Sequence, residues 1–193
     1  MLMYENTMKV RDALQLFFSK YHFADGGYHL KWFKIKVGPI YIPLPNLEGR
    51  VSAAKIHDIH HVITEYPATL KGEAEISGWE IASGCGKYTF AWILNIASFF
   101  YGTFFFPIAL YKAFMRGCKV KINLYHANIA YETLLQSTMG ELRQTIEGTD
   151  ERKNSIGDYL HFVLFCLFTL TLAFSFFYIL FTLIALIINV HSS

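Results

Sequence analysis

Apolar residues follow helical spacing at the start of this chain and become continuous at its end. From about residue 7 to about residue 22, Val10, Leu14, Phe17, Phe18 and Tyr21 recur every three to four positions, a pattern that predicts an amphipathic helix. Gly26-Gly27 breaks it. Trp32, Ile35, Val37, Ile40 and Ile42 are β-favouring residues on either side of the turn dipeptide Gly38-Pro39. They predict a short hairpin that Pro43 and Pro45 end. Helical spacing returns from Arg50 to about Tyr66, with Pro67 as the stop, and again from Gly72 to about Ser83.

Residues 88–111 carry no charge. They are long enough to span a hydrocarbon core of about 30 Å, but Asn95, Gly102 and Pro107 interrupt them. A spanning helix, a kinked interfacial helix and a buried helix under a lipid pocket all fit. In "NLYHANIAYETLLQSTMGELRQTI", Leu134, Leu135, Met139, Leu142 and Ile146 fall on one side of a further helix, which the polar run "EGTDERKNS" ends. Residues 161–190 contain no Asp, Glu, Lys or Arg. At about 1.5 Å per residue they exceed what the core needs, and they are apolar all round, which predicts a transmembrane helix with room to tilt.

The expected fold is therefore mainly α. Residues 1–49 hold the amphipathic helix and hairpin, and 50–148 form a helical domain containing the hydrophobic helix 88–111. A polar linker at 149–160 leads to the membrane helix at 161–190.

Composition strengthens the membrane reading. Of 193 residues, 53% are hydrophobic and 17% aromatic, above the usual soluble range. The net charge of +2 and the lack of a basic stripe interleaved with aromatics argue against nucleic acid as a partner. Cys85, Cys118 and Cys166 are odd in number and lack C-x-x-C spacing, so neither a disulfide framework nor a zinc ribbon is expected. The first residues read as neither a signal nor a transit peptide: Glu5 and Asp12 precede a short apolar run, and no small-residue cleavage site follows. Lys and Arg lie before the final apolar run and none after it, which places the main domain in the cytoplasm. The missing transit features favour a bacterial inner membrane over a mitochondrion.

The chemistry gathers in "KIHDIHHVITEYPATLKGEAEISGWE", residues 55–80. On a helix, with His57 at zero, Asp58 lies near about 100°, His61 near about 40° and Glu65 near about 80°. His60 falls at about −60°, off that face, and reads as a bystander. Two imidazoles at i and i+4 beside a carboxylate make half a metal site. The tight "YPATLKG" turn sends the next helix back antiparallel, bringing Glu73 toward the first helix. Glu80 follows on the face of Glu73, and Glu75 points away. Zinc, iron, manganese and cobalt all accept such ligands, and the donor set suits an open functional site. "HDIHH" also fits one His-x-x-His-His box of membrane di-iron hydroxylases and desaturases, although their other boxes have no counterpart. His-Asp phosphohydrolases share only the His57-Asp58 dipeptide.

H-D-x-x-H, eleven residues, then Glu resembles the signature of the Coq-four family of ubiquinone biosynthesis. "YPATLKGE", "EISGWEIASG", "FFFPIALYKAFMRGCKVKINLY" and "YETLLQSTMGELRQTI" are also similar to that family, over roughly residues 40–148. The resemblance implies a mostly helical protein that works at a membrane on a polyprenylated aromatic precursor, removing the C1 carboxyl with hydroxylation at that carbon. It implies partners among other quinone-biosynthesis proteins, and His57, Asp58, His61 and Glu73 as catalytic ligands of a divalent metal. A membrane-anchored scaffold or lipid-binding protein of the same pathway is the alternative. The family usually has Gly where this chain has Glu65. That carboxylate, which faces the site on the helical wheel, is expected either to add a ligand or, like Glu80, to support the ligands from behind.

Overall fold

The computed structural model describes residues 3–24, 26–37, 40–147 and 153–192. The chain is mainly helical, with 72% of residues in helix. Helix α1 spans Val10–Tyr21 and buries Val10, Ala13, Leu14, Phe17 and Phe18, close to the periodic set read from the sequence. Strands β1 (Trp32–Val37) and β2 (Ile40–Pro45) pair antiparallel, with Trp32 opposite Pro45 and Val37 opposite Ile40. The turn expected at Gly38-Pro39 lies outside the described residues. Pro43 and Pro45 do not end the hairpin but sit inside β2. A two-stranded ribbon has free edges on both sides, and an edge position needs no donor from a proline.

Helices α2 (Glu48–Thr64) and α3 (Leu70–Ser83) carry the residues of interest. On α2, Ala53, Ile56, Ile59, His60 and Ile63 are buried against the core at helical spacing. The helix ends at Glu65, whose φ of 63° is left-handed. Thr69 caps α3 by accepting from the Gly72 N–H at 3.2 Å. From there α3 runs through the middle of the fold, with Ile76, Ser77, Trp79 and Glu80 all fully enclosed.

The uncharged stretch 88–111 is not one helix. It divides into α4 (Thr89–Phe105) and α5 (Pro107–Gly117), with Phe106 between them. Proline takes the first position of α5, where no amide donor is needed. Both helices pack on α3, α5 so closely that Gly117 meets the main chain of Trp79 directly.

The next predicted helix is broken as well. It becomes α6 (Leu124–Ala127), α7 (Tyr131–Gln136) and α8 (Met139–Glu147). Asn123 caps α6, Asn128 turns left-handed after it, and Thr138 with Glu141 forms a reciprocal cap at the head of α8. Each such cap competes with helix continuation. Leu134, Met139, Leu142 and Ile146 are nevertheless buried as their spacing indicates.

Helix α9 covers Ile156–Ser192, so the linker is shorter than expected. Residues Ile156–Ile188 are long and apolar enough to cross a membrane, at a mean hydropathy of 2.5. Among the described residues, it is the base of α9 that packs on the domain. There Phe162 and Phe165 meet Phe99 of α4 at 5.9 and 4.9 Å between ring centroids, and Phe162 meets Phe114 of α5 at 5.3 Å. Beyond Thr169 the side chains face outward, Phe174, Tyr178 and Phe181 at 70% or more exposure.

Gly117→Ala tests the tightness of the α3–α5 contact. Alanine is the better helix former by about 1 kcal/mol. Its methyl group would fall on the Trp79 carbonyl oxygen and 2.9 Å from Ala82 Cβ, and forcing backbone apart typically costs about 1–3 kcal/mol. A net loss of stability is expected in denaturant titrations of the detergent-solubilised protein.

Candidate metal centre

His57 and His61 lie one turn apart on α2, and Glu73 reaches them from the first turn of α3. Their nearest side-chain atoms form a compact group. His57 Nε2 is 3.1 Å from His61 Nε2. The two nitrogens are 3.5 and 3.3 Å from the Oε2 and Oε1 of Glu73. One donor atom from each residue fits within a span of 4.8 Å. Ligand atoms about 2.1 Å from a shared ion in tetrahedral arrangement stand about 3.4 Å apart, so this spacing suits one ion.

The far side of each ring decides its tautomer. His57 Nδ1–H donates to Glu80 Oε1 at 3.0 Å, and His61 Nδ1–H donates to the Tyr66 carbonyl at 2.9 Å. Both Nδ1 atoms therefore hold the proton, and both Nε2 lone pairs point at each other. Such a pair needs a cation between it, either a proton or a metal ion. Phe17 stacks on His61 at 5.2 Å between centroids and fixes the plane of that ring.

Glu80 is fully buried and accepts from every side. His60 Nδ1–H reaches Oε1 at 2.6 Å, Asn95 Nδ2 reaches Oε2 at 2.5 Å, and Tyr125 Oη–H reaches Oε2 at 3.4 Å. Burial alone would raise its carboxyl, but His57 and His60 outweigh burial and hold it well below the usual carboxylate range. Burial likewise opposes charging of His57, yet Glu80 and Glu73 raise it well above an ordinary histidine. For His60 burial wins and its pKa is lowered. One histidine of the pair is thus poised to carry charge while the other is held neutral. Glu73 is depressed: burial works against ionisation, and His61 and His57 overcome it.

Three expectations are corrected. His60 is no bystander; it is wholly enclosed, packed edge-to-face with Trp79 and Tyr125, and bonded to Glu80. The helical wheel could not show this, because the partner comes from α3. Glu65 does not face the site. It caps α2 in the left-handed region that favours Gly, and its carboxylate turns away to Arg143 at 2.9 Å and to the Met3 N–H at 3.0 Å. Asp58 lines the same cavity but stands outside the compact trio, because its Oδ2 accepts from the Tyr28 hydroxyl at 2.5 Å. Burial raises the Asp58 carboxyl, against the pull of His57 and the Tyr28 bond.

Asn95 was missed as a functional group; the only signal was an amide interrupting an apolar run. Glu75 pairs with Lys71 on the outside of α3. The histidines that a di-iron site would need are elsewhere: His22 caps α1, His126 lies against Gly84, and His161 packs on Phe114. A cavity of about 680 Å³ opens beside the trio. Aromatic side chains, Phe17, Phe23, Trp32 and Phe33, form much of its wall, a size and lining typical of small-molecule sites.

Removing Glu80 should unfold more than it frees. Glu80→Ala leaves the half-buried His57, the enclosed His60 and Asn95 without their acceptor, a loss of about 3–5 kcal/mol. Because the folded pKa of Glu80 is depressed, its stabilisation is present above the unfolded value of about 4.3 and fades as pH falls toward the folded one. Denaturation midpoints of the wild type should therefore drop below about pH 4.3, with a shallower acid dependence in Glu80→Ala. No family model matches this chain, and neither does any curated protein or solved structure.

Proposed function

We propose that this chain is a metal-dependent protein of ubiquinone or related prenyl-quinone biosynthesis, acting on the head group of a polyprenylated aromatic precursor at a membrane. The observation that carries the metal is the facing pair of His57 and His61 lone pairs, 3.1 Å apart, with Glu73 opposite and a hydrogen-bond acceptor behind each ring. The step from metal site to quinone chemistry rests on the resemblance of His57, Asp58, His61 and Glu73 to the Coq-four motif. In this reading the reaction is removal of the C1 carboxyl as carbon dioxide with hydroxylation of that carbon, a net two-electron oxidation for which dioxygen is the external oxidant.

His57, His61 and Glu73 would hold the ion, with Asp58 adjacent. Bound there, a divalent ion supplies Lewis-acid stabilisation of negative charge on a head-group oxygen. The donor set of two imidazoles and a carboxylate accepts zinc, iron, manganese or cobalt alike. Glu80 and the Tyr66 carbonyl keep both imidazoles in the ligating tautomer. The aromatic wall offers a flat apolar surface to a benzenoid ring. Helix α9 would keep this cavity beside a lipid-borne substrate, anchored in a bacterial inner membrane with the domain on the cytoplasmic side. Other enzymes of quinone biosynthesis would then be the natural partners.

Metal analysis of the purified protein tests the first half. About one ion per chain is expected, lost in His61→Ala and in Glu73→Gln. Glu80→Gln should weaken affinity by about 10–100-fold. Affinity should rise with pH through neutrality, with protons released on binding, because the ion displaces the proton that the raised His57 holds. Quinone product measured in cells carrying folded Glu73→Gln tests the second half. Loss of product supports an enzyme; undiminished product leaves a scaffold or lipid-binding role instead.

A further inference from the structure

The cavity holds a recognition element that the proposed ligands do not use. Arg50 stands seven positions before His57 on α2, so the two side chains leave nearly the same face, about 10 Å apart along the axis. Ala53 and Ala54 line the wall between them, and their small side chains keep that span open. The guanidinium plane is fixed in place. Phe33 lies beneath it at 3.9 Å, and Nη1 donates to Asn46 Oδ1 at 2.6 Å. That partner is a neutral amide, and the carboxylate that acts on the guanidinium, Asp58, lines the same cavity and is engaged by the Tyr28 hydroxyl. Nε is buried and has no hydrogen-bond partner among the described residues. An unfilled buried donor is costly, and more so on a charged group.

The fork of guanidinium donors matches the oxygens of a carboxylate or phosphate. The surrounding wall, Phe17, Phe23, Leu30 and Trp32, is apolar. We propose that Arg50 anchors an oxyanion, a carboxylate or phosphate, of an amphipathic ligand that fills the cavity between Arg50 and the trio of His57, His61 and Glu73. The inference rests on the reading of this cavity as a substrate site and adds a requirement to it: the polar part of the ligand carries a negative charge that Arg50 meets, apart from the oxygen that faces the trio. Arg50 is then a specificity residue.

Calorimetric titration of the full chain in neutral detergent tests this, with octyl phosphate, octanoate, octanol and inorganic phosphate as probes. At least one of the two amphipathic anions should bind tenfold or more tightly than octanol and than inorganic phosphate. Preference for phosphate or for carboxylate identifies the head group. Arg50→Gln should abolish the preference over octanol, and Arg50→Lys should keep part of it. Octanol or inorganic phosphate binding as tightly as both anions would overturn the proposal. So would an anion preference that survives Arg50→Gln. If Arg50→Gln does not fold, the four probes on the wild type decide alone. Metal content of the same preparations separates the two readings. An anion preference without bound metal sinks the metal centre and keeps Arg50; bound metal without the preference does the reverse.

Discussion

A single enclosed carboxylate orders the centre of this protein. Glu80 sits on α3 and binds His57 and His60 of α2, Asn95 of α4 and Tyr125 of α6. A buried charge is tolerable only when each of its lone pairs is met. That condition ties four helices to one another in register. The surrounding contacts are apolar and would tolerate small shifts, whereas hydrogen bonds of about 2.5–3.0 Å do not. The site inherits its geometry from this constraint. Glu80 turns His57 so that Nε2 faces His61, and the Tyr66 carbonyl does the same for His61 from the other end of α2.

The parts of this arrangement legible in the sequence were those governed by one helix at a time. Spacing of four on a helix was enough to bring His57 and His61 together. A short turn before Gly72 was enough to return Glu73 beside them. Glu65 failed the same arithmetic because α2 ends at Thr64, one residue before it, and a left-handed residue no longer follows the helical wheel. His60 and Asn95 were misjudged for another reason. Each is polar, and each finds its partner on a different helix. Nothing within a few residues of either one reports Glu80.

Long stretches were harder than short ones. The apolar face of residues 134–146 was readable, and its buried residues follow it, yet two breaks, at Asn128 and at Thr138, cut the helix that should have carried it. Asn123, Asn128 and Thr138 were present in the sequence as cap-forming residues. Their local bonds prevailed because each short piece still buries its apolar side on the core, so continuity had little to add. Continuity did prevail in α9, which begins at Ile156 rather than near residue 161 because Ser155 and Asp158 close a cap there.

The uncharged stretch 88–111 shows how a single polar residue decides between placements that hydropathy cannot separate. A spanning helix would put Asn95 near the middle of a hydrocarbon core, where an amide without partners is costly. In the structure that amide is buried against Glu80, and the run is cut at Phe106-Pro107 before it reaches spanning length. Helix α4 therefore belongs to the domain. It presents Asn95 and Ser98 to the cavity and Phe99 to the base of α9. These two faces account for only part of its lack of charge, since Ile93, Phe104 and Phe105 of the same helix are exposed. The consequence is topological. With α4 packed on α3, the histidines before it and Tyr125 after it stay on one side of any bilayer that α9 crosses, and the Glu80 network, which needs both, remains whole.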